Sequence, residues 1–352
     1  MSEKINLSIL SVPNVTRTRC IEKVVAGKEW VSYGGNNKFP DYLWELYTQC
    51  PTLQAIIDAK TAFTMGAGII CQGESDNAVN TRGETIDEVM RKCVFDLHLF
   101  GGFALQVIYN KAGEVLEIYW ADFSKCRTNN QGNKIFFCEC WNGHHKPVEY
   151  DAYNPKMTNK TAQIFYYRGT TCRSVYPIPS YISALDAINT EIEIQNYHLN
   201  AIRNGFAVNA IVNFNNGVPE EEVRKQWEEK LNAKFSGADN AGRTLISWNE
   251  DKDKATTVER LESDNFDKKF AQLAKDTQEA IFVASRITSG SLLGRIPVNT
   301  GFSRTEWVES FNIFNNTVIK PYQKEILGVL KKIFPNKAYN IPPFVIEDEK
   351  TA

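Results

Sequence analysis

The chain has 352 residues, 43% of them hydrophobic and 23% charged, which suffices for one large domain or two to three small ones. Its 40 Lys and Arg against 42 Asp and Glu give a net charge of −2, which argues against tight binding of nucleic acid over the whole surface. The N-terminus lacks a signal-peptide pattern, no apolar run reaches the ~18 residues that span a bilayer, and eight cysteines are spread from Cys20 to Cys172. These features predict a soluble intracellular protein with reduced thiols.

Residues 1 to about 176 predict a mixed α+β domain. One helix opens at Phe39-Pro40-Asp41, a second follows Cys50-Pro51 and stops at Gly66, and a third spans about 84–99. Runs rich in aromatic and β-branched residues then predict strands at 103–109, 115–120, 134–141 and 163–168.

Two long helices are predicted at 179–204 and 265–287. Apolar residues recur in both with spacings that alternate between four and three, a period near 3.5 that is typical of a helix packed along another long helix. We call these residues the seam; it includes Leu185, Ile188, Ile192 and Leu199 in the first helix and Phe270, Leu273, Thr277 and Ala280 in the second. The same stripes also fit ordinary amphipathic helices of a single core, and the pattern alone leaves both interpretations open.

Residues 206–262, between the two long helices, have the pattern of a self-contained insert. A strand at 207–214 is followed by a helix from Pro219 to about Lys234, which begins with acidic residues where the helix dipole favours them. Two further strands are predicted at 243–248 and 256–261. The insert is therefore predicted to project from the tip of a helical hairpin.

The segment 288–303 after the second long helix is longer than most connections in compact domains and is rich in glycine. Its only charged residue is Arg295. A helix is predicted from about 304 to 334, bent or broken at Pro321, and a short tail follows.

Cys138, Cys140, His144 and His145 are residue types that bind zinc, and they form the strongest candidate for a chemical site. Their spacing is poor, because a C-x-C pair on a strand directs both side chains to one face and no second knuckle follows. A strand and turn with solvated histidines is the simpler interpretation. No nucleophile elbow, Walker A loop, H-E-x-x-H helix or G-x-G-x-x-G turn occurs, so we predict no enzyme activity, cofactor or metal.

Four local runs occur in an informative order. They are Leu99–Ala104 with the turn Ala112–Val115, the Arg203–Ala207 stop before a strand, the Gly- and Asn-rich run Ser236–Arg243, and the region from Ile287–Gly294 to Phe311 and Pro321. In this order and spacing they resemble the portal proteins of tailed bacteriophages, particularly the compact portals of long-tailed phages. The resemblance extends from about Tyr33 to Phe334.

The resemblance implies a portal anatomy. Its parts would be a wing at 1–176, stem helices at 177–205 and 263–287, a clip at 206–262, a tunnel loop at 288–303, a wing helix at 304–334, and a tail at 335–352 with little or no crown. Acidic residues on the first stem helix, Asp186, Glu191 and Glu193, are expected on a solvated or channel-facing surface.

The resemblance also implies functional surfaces. Residues expected near DNA in the channel and tunnel loop are Ser289, Ser291, Arg295, Asn299, Thr300 and Arg304. Residues expected in the clip, where a packaging motor would dock, are Glu220, Glu221, Arg224, Lys225, Arg243 and Trp248. A nearly neutral chain with one cation in the loop suits a channel that must not hold DNA tightly.

The implied function is a homo-oligomeric ring, twelve-fold in the virion, at one vertex of the capsid. Its partners would be further copies of itself, the major capsid or scaffolding protein, the terminase large subunit, the head–tail adaptor and double-stranded DNA, with no membrane involved. The location would be the virion, and the host cytoplasm during assembly. The alternatives are another head–tail connector or tail protein and a zinc-dependent nucleic-acid enzyme.

Overall fold

The computed structural model of the chain describes residues 22–24, 27–72, 78–141, 143, 145–157, 161–169, 175–203, 210–214, 222, 244–248, 266–294 and 304–344. For 200–203, 210–214, 244–248 and 266–270 only the backbone is described. The chain divides into two units. The first comprises Met1–Ile182 with Ser285–Ala352, and the second comprises Ser183–Ala284.

The described elements of the first unit begin with short strands and helices. In chain order they are β1 (Glu22–Val24), β2 (Val31–Tyr33), α1 (Phe39–Gln49), α2 (Pro51–Met65), β3 (Ile70–Cys71), α3 (Ile86–Phe100), β4 (Phe103–Tyr109), β5 (Val115–Ala121), β6 (Cys126–Thr128), β7 (Lys134–Phe137), β8 (Val148–Ala152) and β9 (Ala162–Tyr167). The second unit contains α4 (Leu185–Arg203), β10 (Ala210–Phe214), β11 (Thr244–Trp248) and α5 (Phe266–Ala284). The first unit resumes with α6 (Arg304–Phe314), a π-helical segment (Asn315–Ile319), α7 (Lys320–Ile333) and β12 (Tyr339–Asn340).

Local sequence signals set the ends of the first helices. Thr85 and Glu88 form a reciprocal capping box at the start of α3, in which each side chain accepts from the other residue's backbone N–H. Gly101 ends α3 in the left-handed conformation with φ of 84°. A Cβ at that position would lie 2.8 Å from the carbonyl carbon of Ile178, so only glycine fits the close approach of the two segments.

A six-stranded sheet of order β5-β4-β9-β8-β7-β6 forms the centre of the first unit. The neighbours pair antiparallel except β8 and β9, which run parallel. The register places Leu105 of β4 between Trp120 of β5 and Phe165 of β9.

Helices α3 and α7 contribute to the main hydrophobic core together with β4 and β5. The fully or nearly fully buried residues there include Val89, Cys93, Val94 and Leu97 of α3, Leu105 and Val107 of β4, Ile118 of β5, and Ile326, Val329 and Leu330 of α7. Thus the helix that follows the 288–303 segment returns to the same core that the N-terminal half builds. No helix among the described residues is both long and apolar enough to cross a membrane.

The described part of the second unit contains α4 and α5 with a parallel pair of strands, β10 and β11. Ala210 pairs with Thr244 at one end of the ladder and Phe214 with Trp248 at the other. The predicted strands at 207–214 and 243–248 are confirmed over these residues. The predicted helix at 219–234 and the strand at 256–261 lie outside the described residues, apart from Glu222, which is helical.

The long helices are shorter than the sequence predicted. Pro179 does not begin the first helix; α4 begins at Leu185 after a 3₁₀ turn. The preceding residues are irregular and are held by other parts of the first unit: the Tyr33 hydroxyl donates to the Pro177 carbonyl at 2.8 Å, and the Tyr181 hydroxyl donates to the Leu99 carbonyl at 2.7 Å. Helix α5 ends at Ala284 and not at residue 287.

The predicted strand at 134–141 was too long, since β7 ends at Phe137. The chain then folds back on itself, and Cys138 Sγ lies 3.1 Å from the Cys140 carbonyl oxygen and 3.7 Å from that of His145. Within the part of the chain that the structure describes, no three His, Cys, Asp or Glu side chains are grouped to hold a metal, and His144 lies outside it.

Candidate functional site

The seam on α4 and α5 is buried at one end and exposed at the other. Ile188 and Ile192 are buried and Leu185 is partly buried, whereas Leu199 and Leu273 each keep 45% of their surface exposed. The side chain of Phe270 is outside the described set. A single chain therefore leaves the far part of the predicted seam uncovered.

The buried face of α5 differs from the predicted seam. Ile281, which is not a seam residue, is fully buried. The adjacent seam residue Ala280 is exposed, whereas the seam residue Thr277 is buried. Thr277 and Ile281 are four residues apart and therefore share one face of the helix, which is rotated away from the exposed Leu273 and Ala280. Exposed Val283 and Tyr197 add to the uncovered apolar surface of this unit.

Helices α4 and α5 are slightly acidic over their full length, with six acids and four basic residues. The acids are Asp186, Glu191, Glu193, Asp267, Asp276 and Glu279, and the basic residues are Arg203, Lys268, Lys269 and Lys275. Glu191 is buried, and Asp186, Glu193, Asp276 and Glu279 lie at exposed positions. A net charge of −2 over the two helices does not favour tight binding of a polyanion.

The start of the 288–303 segment is an ordered turn. Ser289 caps a 3₁₀ turn at Gly290–Leu293 by accepting from the Ser291 backbone N–H, and the two serine hydroxyls lie 2.8 Å apart. Buried Leu292 anchors the turn, and Gly294 ends it with φ of 78°. The predicted DNA-contact residues Ser289 and Ser291 thus bond to each other at the loop entrance.

The structure describes only two of the remaining predicted loop and clip residues. Arg304 is the first residue of α6 and is exposed. Trp248 lies on β11. Arg295, Asn299, Thr300, Glu220, Glu221, Arg224, Lys225 and Arg243 lie outside the described residues. Their proposed roles stay predictions.

A π-helical segment, Asn315–Ile319, joins α6 and α7 in the first unit. Pro321 has no N–H, so in a regular α-helix the Thr317 carbonyl four residues earlier would have no donor. The Arg286 guanidinium lies 3.5 Å from that carbonyl, and Lys320 instead donates its backbone N–H to Asn315, the π spacing. The irregularity predicted at Pro321 therefore begins before the proline, at Asn315.

Two buried titratable residues, Lys60 and His98, could not be assigned a role from the sequence because neither belongs to a motif. Lys60 of α2 is 2% exposed, and no ion pair to it exists among the described residues. His98 lies nearby, with Nε2 2.9 Å from the Thr64 hydroxyl. Burial and then the charge of Lys60 hold the pKa of His98 well below its usual range.

The Lys60 ammonium predicts a measurable dependence of stability on pH. Burial, and then the positive charge of Arg286, lower the pKa of Lys60 from 10.5 to about 8. The folded state therefore binds this proton less well than the unfolded state, so this residue makes stability rise as pH increases through the window from about 8 to 10.5.

Replacing Lys60 with Met should raise the free energy of unfolding at pH 7 by about 2 kcal/mol, because it removes a desolvated charge from the interior. The measurement is urea unfolding of wild type and variant at pH 7 and pH 10. The gap should shrink at the higher pH. Lys324→Met, at an exposed position of α7, is the matched control and should change stability little. An unchanged or lower stability of Lys60→Met would contradict the assignment.

The fold is similar to that of solved particle components. One is a chain in "Neck of empty GTA particle computed with C6 symmetry", with TM-score 0.55, 13% sequence identity, and coverage of 86% of this chain and 84% of that chain. Another is a chain in "Virion of native gene transfer agent (GTA) particle", with TM-score 0.53, 13% identity, and coverage of 86% and 83%. An HK97 family phage portal protein from Corynebacterium diphtheriae aligns with TM-score 0.49, 10% identity, and coverage of 85% and 94%.

No protein-family model matches the sequence, and no curated protein is significantly similar to it in sequence. At identities this low, the structural likeness shows the fold. The predicted α+β class and the resemblance drawn from the sequence are confirmed at that level.

Proposed function

We propose that this chain, which has the α+β portal fold and shares it with chains of gene transfer agent particles, is the portal subunit of a phage-like particle. Copies would close into a ring at one capsid vertex, twelve-fold in the virion. Double-stranded DNA would pass through the ring during packaging and ejection. The symmetric neck in which one structural relative was solved supports such self-assembly.

The observation that carries this proposal is the uncovered apolar end of the seam. Leu199 on α4 and Leu273 on α5 are each nearly half exposed, and Val283 is exposed further. Covering such side chains contributes roughly 1 kcal/mol each, and a closed ring repeats the contact at every interface. Neighbouring copies are the covering surface that we propose.

The charge of the two stem helices supports passage of DNA rather than storage. Each phosphate that a protein neutralises releases counterions and adds affinity, which would slow a moving duplex. The two helices together carry six acids and four basic residues, so their net charge does not favour such contacts. We propose that the few cations of the tunnel loop, Arg295 and Arg304, are the points of contact with DNA.

We propose distinct partners for the other parts of the chain. The clip at 206–262 would dock the terminase large subunit and later the head–tail adaptor, and the wing would contact the major capsid or scaffolding protein. The protein would reside in the virion, and in the host cytoplasm during assembly. It would have no enzyme activity of its own, and the motor would supply the ATPase.

Electron microscopy of the purified protein combined with native mass measurement tests this function. The expected result is a population of closed rings whose mass is a multiple of 40.0 kDa, with a central channel wide enough for a duplex of about 20 Å. A protein that stays monomeric at high concentration, and with capsid or scaffold partners added, would contradict the proposal.

A further inference from the structure

A cavity of about 700 Å³ opens in the first unit between α1, α3 and the segment that follows β5. Four aromatic side chains contribute to its wall: Trp44, Phe95, Phe100 and Trp120. Trp44 is about half exposed, and its ring meets Phe95 edge-on at 6.1 Å between centroids. An exposed tryptophan at the mouth of an apolar cavity is typical of a docking surface.

The same cavity has an acidic side. Asp41, Asp96 and Asp122 contribute to its wall. Asp96 is 3% exposed and accepts from the Trp120 indole N–H at 2.7 Å and from the Phe123 backbone N–H at 3.4 Å. Burial, and then the charge of Asp122, raise the pKa of Asp96 well above its usual range despite these two donors. The neutral donors that reach Asp96 therefore do not compensate its desolvation.

Two basic residues also contribute to the wall but are engaged by acids of their own. Arg91 forms an ion pair with Asp87 at 3.1 Å, and Lys92 forms one with Glu84. Neither ion pair involves Asp96. The cavity thus combines aromatic walls with a buried carboxyl group, which is the chemistry that recognises an arginine or lysine side chain together with its apolar neighbours.

The N-terminal segment, residues 1–21, has the complementary chemistry. It contains the apolar residues Ile5, Leu7, Ile9, Leu10, Val12 and Val15, and its basic residues Lys4, Arg17 and Arg19 outnumber its one acid, Glu3, for a net charge of +2. Twenty-one residues can extend over roughly 70 Å, so length does not limit the segment to the immediate surroundings of β1.

A chain of contacts links the point at which this segment joins the described fold to the helix that carries part of the cavity wall. The Glu22 carboxylate accepts from the backbone N–H groups of Val175 and Tyr176. The Tyr176 ring stacks on Tyr33 at 4.1 Å, and Tyr33 contacts Phe39, the first residue of α1. Helix α1 then carries two residues of the cavity wall. One chain of contacts therefore leads from the end of the segment to the cavity.

We propose that residues 1–21 dock in this cavity of the same chain. Apolar side chains of the segment cover the aromatic walls, and Arg17 and Arg19 bring positive charge to Asp96 and Asp122. A cation beside a buried carboxyl group compensates its desolvation, and contact with the indole face adds to the attraction. Such docking would tie the N-terminus to the wing without involving the seam.

Disulfide trapping in the full-length chain tests this proposal. Cys20 already lies in the segment, and Ser124→Cys places a thiol at the cavity wall. Cys140→Ser and Cys172→Ser remove competing thiols. Mild oxidation followed by non-reducing electrophoresis and peptide mapping should show a disulfide between Cys20 and position 124 within one chain. The measured quantity is the fraction of chains that carry the internal disulfide, so the outcome does not depend on ring formation.

Matched variants keep the test specific. Thr317→Cys, exposed and outside the cavity, should trap poorly in place of Ser124→Cys. Adding Trp44→Ala, or Arg17→Glu with Arg19→Glu, should lower the yield about fivefold or more, as loss of apolar and cation–π contacts predicts. Circular dichroism should show an unchanged fold. Absence of the disulfide, a yield insensitive to these variants, or a disulfide between two chains would overturn the proposal.

Discussion

Leu199→Asp combined with Leu273→Asp should abolish ring assembly and leave the individual chain folded. Both side chains are 45% exposed in the single chain, so aspartate at either position stays hydrated in the monomer. In a ring the same carboxylates would be buried against an apolar neighbour without a counter-charge. A cost of about 2 kcal/mol per carboxylate, two per interface, lowers each interface association constant by roughly a thousandfold.

Leu116→Asp is the matched control for this experiment. Leu116 of β5 is 60% exposed and belongs to the first unit, whereas Leu199 and Leu273 belong to the second. Rings of wild type, control and double variant are compared by native mass measurement and electron microscopy, and thermal melts report folding. Rings that persist in the double variant, or that dissolve equally in Leu116→Asp, would remove the basis of the assembly proposal.

Helices α2 and α3 could be predicted because their signals are local and strong. Apolar periodicity, a proline start at Pro51 and a left-handed glycine stop at Gly101 are each contained within one element. Strands β6 and β8 escaped prediction because they are short, and although β8 alternates apolar and acidic residues, none of its residues is buried. Their pairing with the neighbouring strands β7 and β9, more than their own composition, makes them strands.

The site was less predictable than the fold. Ile188 and Ile192 of the predicted seam are buried, but a fixed period could not predict which face of α5 would be buried. Whether exposed Leu199 is covered by a neighbour depends on another molecule, which no pattern within one chain encodes. Loop roles such as that of Ser289 depend on local hydrogen bonds: its hydroxyl caps a turn at the loop entrance.

Arg127 shows most clearly what sequence reasoning could not reach. It lies on a three-residue strand in no motif, yet its side chain is fully buried. Its guanidinium donates to the Asn37 side chain and carbonyl, 90 residues earlier, and to the carbonyls of Ser124 and Cys126, all at 2.7 Å. Only the folded chain brings these acceptors together.

Replacing Arg127 with Met should destabilise the first unit by about 4 kcal/mol, the largest single-residue effect that we expect. The substitution keeps much of the apolar stem but leaves four acceptor contacts without their donor in a buried site. It also removes the cation from the face of Trp141, 4.9 Å from the ring centroid. Urea unfolding, monitored by tryptophan fluorescence, gives the free energy of unfolding.

Two further variants separate the contribution of the hydrogen bonds of the Arg127 guanidinium from that of its positive charge. Arg127→Lys keeps the positive charge but cannot reach four acceptors in one plane, so it should recover only a minor part of the loss. Arg91→Met removes an exposed arginine whose ion pair with Asp87 spans one helical turn, and it should cost no more than about 0.5 kcal/mol. Full stability in Arg127→Lys would assign the effect to charge alone.

The reason for so large an effect is the position of Asn37 between β2 and α1. Asn37 has φ of 63°, an uncommon conformation for a residue with a side chain. Its side-chain oxygen accepts from both the Tyr33 backbone N–H at 2.9 Å and Arg127 Nε at 2.7 Å. Without the guanidinium, the turn loses the contact that joins it to β6 at the edge of the sheet. The start of α1 would then no longer be held to the sheet through Asn37. The ring contact between Tyr33 and Phe39, the first residue of α1, would be weakened as a result.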